Sequence, residues 1–488
     1  LKRSFPLQTR RELLFSATAL AVHAAESRDV DYFTDNGFGN PSSTLQHPTG
    51  VNHNGTTYIA YQGPHEDSYV AAYHHATRKW SGPFLAGVNL MGKSPDPVEN
   101  KDLDNHGKPA MMVDKKGYIH IVFGAHGGSP SLGKNTLGTP GSLRGGKFTH
   151  MVSKNPEDIT AWVELQNISL FGTYPQFVQM DNGDLYLFYR HGAHRSDWVY
   201  QKSVDFGRTF QPPVSILKHK AQQTNPAVHD SWYAWFAKGH GETITASYVY
   251  HLCENPGHTN DRSNSYFMRM NTRDGSWVNA AGEKLTISVT KEYADRKTLI
   301  YNTGTERCSH GTCRVDGNGN PHVNFRYGKG QVRYCRWTGT EWTKPSAILP
   351  NGGASDGDLV VESPTSARMI LTSRNGDTAE VGWWKTIDGG TTWDKEPPIL
   401  AKSGGSYDIG ALIENFNQDA VILLSEEVPA DYLYRRMILL SNKGPVKRPA
   451  VEASFIQDKL KALRDAGVAP ETKESRAVGK PNKKRKGA

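Results

Sequence analysis

One hairpin-based unit recurs along this chain seven times, and a repeat of that kind narrows the fold to very few options. Each unit has a first strand, a tight Asp/Gly turn, an alternating second strand, a third strand and an aromatic-rich outer turn. Three copies align closely: DKKGYIHIVFG at 114–124, DNGDLYLFYR at 181–190 and DGNGNPHVNFR at 316–326. The units cover roughly 49–90, 104–165, 173–215, 225–290, 308–350, 355–400 and 406–445. A Gly/Ser-rich loop at 127–146 interrupts the second. Two outer turns carry the Asp-box pattern S-x-D-x-G-x-T-[WF]. Ser203-Val204-Asp205-Phe206-Gly207-Arg208-Thr209-Phe210 matches it, and Thr386-Ile387-Asp388-Gly389-Gly390-Thr391-Thr392-Trp393 matches with Thr in place of Ser. In such a turn the Asp accepts backbone N–H bonds, Gly allows positive φ, and the aromatic plugs the gap between sheets. It specifies architecture and says nothing about chemistry. Units of about forty to fifty residues, repeated this often, bury their apolar faces against one another. The expected fold is all-β, a seven-bladed β-propeller over 40–446. An extension over 447–466 follows, with an amphipathic helix at 452–466 whose Phe455, Ile456, Leu460 and Leu463 share one side. Residues 467–488 read as a disordered tail.

The formal charge of +8 does not describe that domain. Residues 1–25 carry four Lys/Arg against one Glu, and residues 470–488 carry seven against two, so the two ends account for all of it. A near-neutral core gives no basic face for nucleic acid. The N-terminal TRRELLF resembles a twin-arginine signal and leads into the apolar run SATALAVHAA. Residues 1–25 are therefore expected to be an export signal, and the protein periplasmic or extracellular. The run is too short to span a bilayer, and a monomer is expected.

The chemistry-bearing residues sit at strand ends. His106 precedes the first strand of the second unit and His126 follows its second strand, so a hairpin returns both imidazoles to one edge. Tyr174 and Arg190 hold the corresponding positions in the third unit. Paired carboxylates at glycosidase spacing and a serine nucleophile are lacking. A set of His, His, Tyr and Arg suits β-elimination at a uronic acid. That reaction needs a cation at the carboxylate, a base for the C5 proton and an acid for the departing O4. Arg326 and His310 occupy the equivalent places in the fifth unit, and Asn105 adjoins His106; these three are candidate substrate contacts. His120 and His322 lie within strands and read as structural.

The motifs DNHGKP, GAHGG, TYPQF and LFYRHG, in this order on seven repeats, resemble the ulvan lyases and the related rhamnose–glucuronate lyases. The similarity covers most of residues 40–445. It implies that Arg190 neutralises the carboxylate with help from His126, while His106 and Tyr174 share proton abstraction and delivery. Which does which depends on whether the sugar is glucuronate or iduronate. The partner implied is an anionic, sulfated uronic-acid polysaccharide, with ulvan first and a rhamnosyl–glucuronate linkage of plant gums second. No cofactor is expected for the chemistry. The resemblance also raises the expectation of a structural zinc, or calcium, at His251, Cys253 and Cys308, whose strand ends meet on the same face. A Cys253–Cys308 disulfide is the alternative in an exported protein. Two rivals remain: an Asp-box sialidase-like hydrolase, for which no Arg trio with a Tyr–Glu pair is evident, and a non-catalytic carbohydrate-binding propeller.

Overall fold

Short alternating segments separated by Asp/Gly turns can satisfy their backbone only by pairing with one another. The computed structural model is accordingly all-β. It describes residues 28–455 apart from 92–103, 105, 140–144, 221–227, 255–260, 329, 350–356 and 429–430. The expected export signal, the tail and Asn105 lie outside the described residues, as does most of the expected C-terminal helix. The described residues hold a single helical turn, Ala450–Ala453, which starts earlier than expected and ends before Ser454 and Phe455, both non-helical.

Each of the seven units is an antiparallel array. Their first strands are Gly50–His53, Ala110–Val113, Thr173–Gln179, Val228–Lys238, Cys313–Val315, Gly357–Val361 and Tyr407–Asn417. These strands touch their neighbours in chain order, and the seventh touches the first, where Val51 faces Glu414 in a parallel bridge. The seventh unit supplies three long strands of its own sheet, besides the two-residue Gly444–Pro445. The fourth is Thr34–Phe38, ahead of the expected boundary at residue 40, paired antiparallel with Asp431–Ser441. A second pairing, Asp29–Val30 with Arg448–Pro449, ties the two ends together again.

Buried apolar side chains gather between neighbouring sheets. Met111, Ile119 and Ile121 of the second sheet pack on Tyr58, Ala60 and Val70 of the first. Phe33, just ahead of the closing strand, is fully buried among Tyr61, Trp80, Leu423 and Met437 of the first and seventh sheets. The Asp-box turns behave as their residues require. Asp205 accepts Thr209 N at 2.9 Å and Thr209 Oγ1 at 2.7 Å, and Asp388 accepts the same groups of Thr392 at 3.0 and 2.7 Å. Phe210 and Trp393 pack against the clusters between sheets. His120 and His322 are buried inside their sheets, where His120 Nδ1 meets His150 Nε2 at 3.0 Å and His322 Nδ1 meets the Tyr334 hydroxyl at 2.6 Å.

Candidate active site

The second sheet brings its histidines together by continuing its hairpin beyond the strands. Ala110 pairs with Val122, so the segments before Ala110 and after Phe123 leave side by side. Gly124 N then donates to Gly107 O at 3.2 Å. Glycine is needed at 107, since a Cβ there would lie 2.4 Å from Asn89 Nδ2. The return segment turns through Ala125 and His126, both at positive φ (76° and 40°). Such backbone in non-Gly residues costs on the order of 1 kcal/mol each and persists where the surroundings enforce it. The result is a stacked pair: the His106 and His126 rings lie 3.7 Å apart at 8°.

The third sheet aims its two residues by a bulge. Thr173 pairs with Arg190, but the next register pair is Gln176 with Phe188. The extra residue leaves Tyr174 at φ +60°, pointed away from the ladder. Its ring sits 5.8 Å from His106, and the Arg190 guanidinium carbon lies 4.9 Å from the same ring. All four expected residues therefore form one contiguous cluster. Arg190 is fully buried and gives Nη1 to Ser231 Oγ at 3.2 Å, while among the described residues its Nε and Nη2 have no hydrogen-bond partner.

Three further residues complete the cluster. Asp104 lies between the histidines: one carboxylate oxygen meets His106 Nδ1 and the other meets His126 Nδ1 at 2.5 Å. Burial pushes the Asp104 carboxyl up, but those two bonds and the neighbouring imidazole charges hold it far below the usual range. Burial also lowers the His106 pKa to about 4, against the opposing pull of Asp104. Tyr233, from the first strand of the fourth sheet, faces Tyr174 at 5.6 Å. Burial works against ionising either phenol, and it wins at Tyr174, whose pKa is raised. At Tyr233 the charges of Arg190 and Arg262 overcome it and pull the phenol below its ordinary value. Arg262 stands over that ring at 4.0 Å.

Asp104 was legible as the first residue of DNHGKP, two ahead of His106, where a carboxylate can orient an imidazole. Tyr233 and Arg262 had no such signal, because SWYAWFA reads as an ordinary buried strand.

The family model of a BNR repeat-containing family member matches residues 56–347. The ulvan lyase of Nonlabens ulvanivorans is 46% identical over 449 residues, covering 88% of this chain and 93% of that one. The chain belongs to the ulvan lyase family. A second ulvan lyase, from Pseudoalteromonas sp. (strain PLSV), is 45% identical over 459 residues and covers 91% of each chain. Among solved structures, a polysaccharide lyase PL25 ulvan lyase superposes with a TM-score of 0.82 at 44% identity, covering 87% of this chain and 99% of that one. Another structure with the same values has that protein bound to -[GlcA(1-4)Rha3S]-. Polysaccharide lyase Uly1, at 15% identity and a TM-score of 0.58, shares the fold.

The remaining expected residues flank the cluster in this ulvan lyase family member. His310 stacks on Tyr233 at 6.0 Å and 14°. Arg326 lines a cavity of about 500 Å³ with Glu306, Arg307 and Ser309, and Arg262 Nη1 reaches Ser309 Oγ at 3.5 Å. His251 is buried 5.3 Å from the Tyr233 ring, and the backbone carbonyl of its strand neighbour Arg262 accepts the Cys308 N–H at 2.7 Å. The Cys253 side chain lies outside the described ones. Cys308 is a free, buried thiol, so the disulfide alternative is not formed, and burial pushes its pKa up to about 12. No helix among the described residues is long and apolar enough to cross a membrane.

Proposed function

We propose that this polysaccharide lyase cleaves ulvan at a 4-linked uronic acid by β-elimination, using His106, His126, Tyr174 and Arg190. Ulvan lyases at about 45% identity over most of their length support the substrate. The observation that carries the residue assignment is the contiguity of the four side chains, from stacked imidazoles through Tyr174 to a buried guanidinium. The enclosed Arg190 charge offsets the uronate carboxylate across a short path of low dielectric, with His126 beside it, and so acidifies C5–H. A base takes that proton and the electron pair becomes the C4=C5 double bond. The C4–O4 bond breaks, and O4 leaves with a proton from the acid. His106, neutral because burial depresses its pKa, and Tyr174, protonated because burial raises its own, divide these roles between them.

The seven sheets are, on this reading, the blades of a β-propeller. The closed ring of first-strand contacts and the apolar clusters between successive sheets support it. Arg326 and His310 extend the substrate cleft. A structural zinc at His251, Cys253 and Cys308 suits the donor types, since imidazole and thiolate are its preferred ligands, and it takes no part in the reaction. The twin-arginine-like N-terminus supports export.

The test is direct. The full chain is incubated with ulvan, gum arabic and a sialoside while the ultraviolet absorbance of a 4,5-unsaturated uronate is followed. Absorbance should rise with ulvan, and His106→Ala and Arg190→Ala should each abolish the rise at unchanged thermal stability. A folded protein giving no rise on ulvan sinks the activity; activity surviving both substitutions sinks the assignment.

A further inference from the structure

The carboxylate between the histidines has no part in the reaction just described. A carboxylate held ionised can only accept hydrogen bonds. Each Asp104 oxygen is met by one Nδ1, from His106 and from His126, so both Nδ1 atoms must carry a hydrogen. Nε2 of each ring then lies across the ring from Asp104, and on His106, kept neutral by burial, it carries the lone pair. The separations are those of hydrogen bonds and not those of ligands around a tetrahedral zinc. Two ligands of one such ion stand roughly 3.3 Å apart, whereas His126 Nδ1 and Asp104 Oδ2 are 2.5 Å apart.

We infer that Asp104 is a positioning residue that holds Nδ1–H on both imidazoles and so turns both Nε2 edges to the sugar, that of His106 as a proton acceptor and that of His126 beside the carboxylate with Arg190. The inference rests on the β-elimination reading, and supplies what that reading lacks, a reason for the imidazole orientation. Asp104 is itself held. Its backbone N donates to Glu66 Oε1 at 2.7 Å, and His106 N donates to its Oδ1 at 3.3 Å. An Asp that fixes imidazole tautomer and orientation from behind is also the logic of the serine-protease triad. Here one carboxylate serves two rings.

The substitution Asp104→Asn is isosteric but offers one acceptor oxygen in place of two, so it can hold only one of the two Nδ1–H groups. Its kcat should fall on the order of 10²- to 10⁴-fold, the scale of misdirected proton transfer, with KM little changed. The groups facing His106 are Asp104 and Lys108 on its own segment, His126 from the return segment and Tyr174 from the third sheet. Lys108 in turn feels Glu66 and Asp408. Of these only Asp104 raises the His106 pKa. The acid limb of kcat/KM should therefore move to lower pH in Asp104→Asn, a change that mere loosening of the loop would not cause. Asp104→Glu, which restores two acceptor oxygens, should recover part of kcat.

Tautomers are read independently of activity by ¹⁵N NMR of the histidine-labelled full chain, with His106 and His126 assigned by substitution. Both should show a protonated Nδ1 in the native enzyme, and His106 an unprotonated Nε2. Asp104→Asn should convert at least one of them. A native Nε2–H tautomer at either histidine overturns the inference even if every Asp104 variant misfolds. So does Asp104→Asn with native kcat or unchanged tautomers. If instead His106→Ala and Arg190→Ala stay active, the site assignment has failed and not the lock alone.

Discussion

At the scale of single residues, the cluster is set apart by backbone that its side chains would not choose. Tyr174 and His126 both sit at positive φ, and Ala125 precedes His126 in the same region. Strain of this kind is retained where it aims a group. Burial does the electrostatic work. The His106 pKa is lowered to about 4, so this base stays neutral well below the ordinary histidine range. Lyase activity on ulvan should then persist as pH falls through 6.5 and decline only as pH drops through about 4. A kcat/KM profile, with intrinsic fluorescence checking the fold at each pH, would show this. An acid limb near 6.5 would mean that His106 is not the group that must be neutral. Tyr174→Phe removes the phenol and keeps the ring that packs on Arg190 and Trp198. It should lower kcat on the order of 10²-fold or more with thermal stability unchanged, as measured by the same absorbance assay and a melting curve.

At the scale of elements, the turns carry the specificity of the sheets. Gly390 closes the second Asp-box at φ +93°, and a Cβ there would lie 2.4 Å from the Tyr334 ring, which is buried. Gly390→Ala should destabilise on the order of 1–3 kcal/mol from the strained backbone alone, seen as a lower midpoint in urea. Gly317→Ala, where a Cβ meets nothing within 4 Å and φ is ordinary, should leave the midpoint in place. Equal shifts for the two would show that conformation and crowding do not matter at these turns. The strand-end rule that placed four residues in one cluster belongs to this scale too. It was readable because a hairpin returns its ends together whatever lies around it. Bulges and positive φ escaped it, because they depend on which neighbours press on the loop.

At the scale of the whole molecule, closure decides stability. The strand Thr34–Phe38 completes the seventh sheet, and Phe33 stacks on Trp80 at 4.6 Å. Phe33→Ala should cost about 3–5 kcal/mol in equilibrium urea unfolding, although Phe33 lies far in sequence from most of its contacts. A second property is shared by the interior. His47, His191 and His322 are pulled by burial to about 4, and His150 to about 3. Each is neutral when folded and takes up a proton near 6.5 when unfolded, so the unfolded chain binds more protons between those values. Their stability is complete above pH 6.5 and is lost as pH falls toward 4. The urea midpoint should drop between pH 7 and pH 5; a flat midpoint would contradict it.

The order of the chain already contained the repeats, the Asp-box turns and the pairing of His106 with His126, because each is set by contacts a few residues apart. Closure was different. The strand Thr34–Phe38 pairs with a strand about four hundred residues away in sequence, and its role exists only because seven units bring residues 431–441 back to it. Tyr233 and Arg262 likewise acquired meaning only when neighbouring sheets placed charge and burial around them. Local pattern determined which elements form. Long-range packing decided which side chains share a low-dielectric space, and that sharing is what shifts a proton.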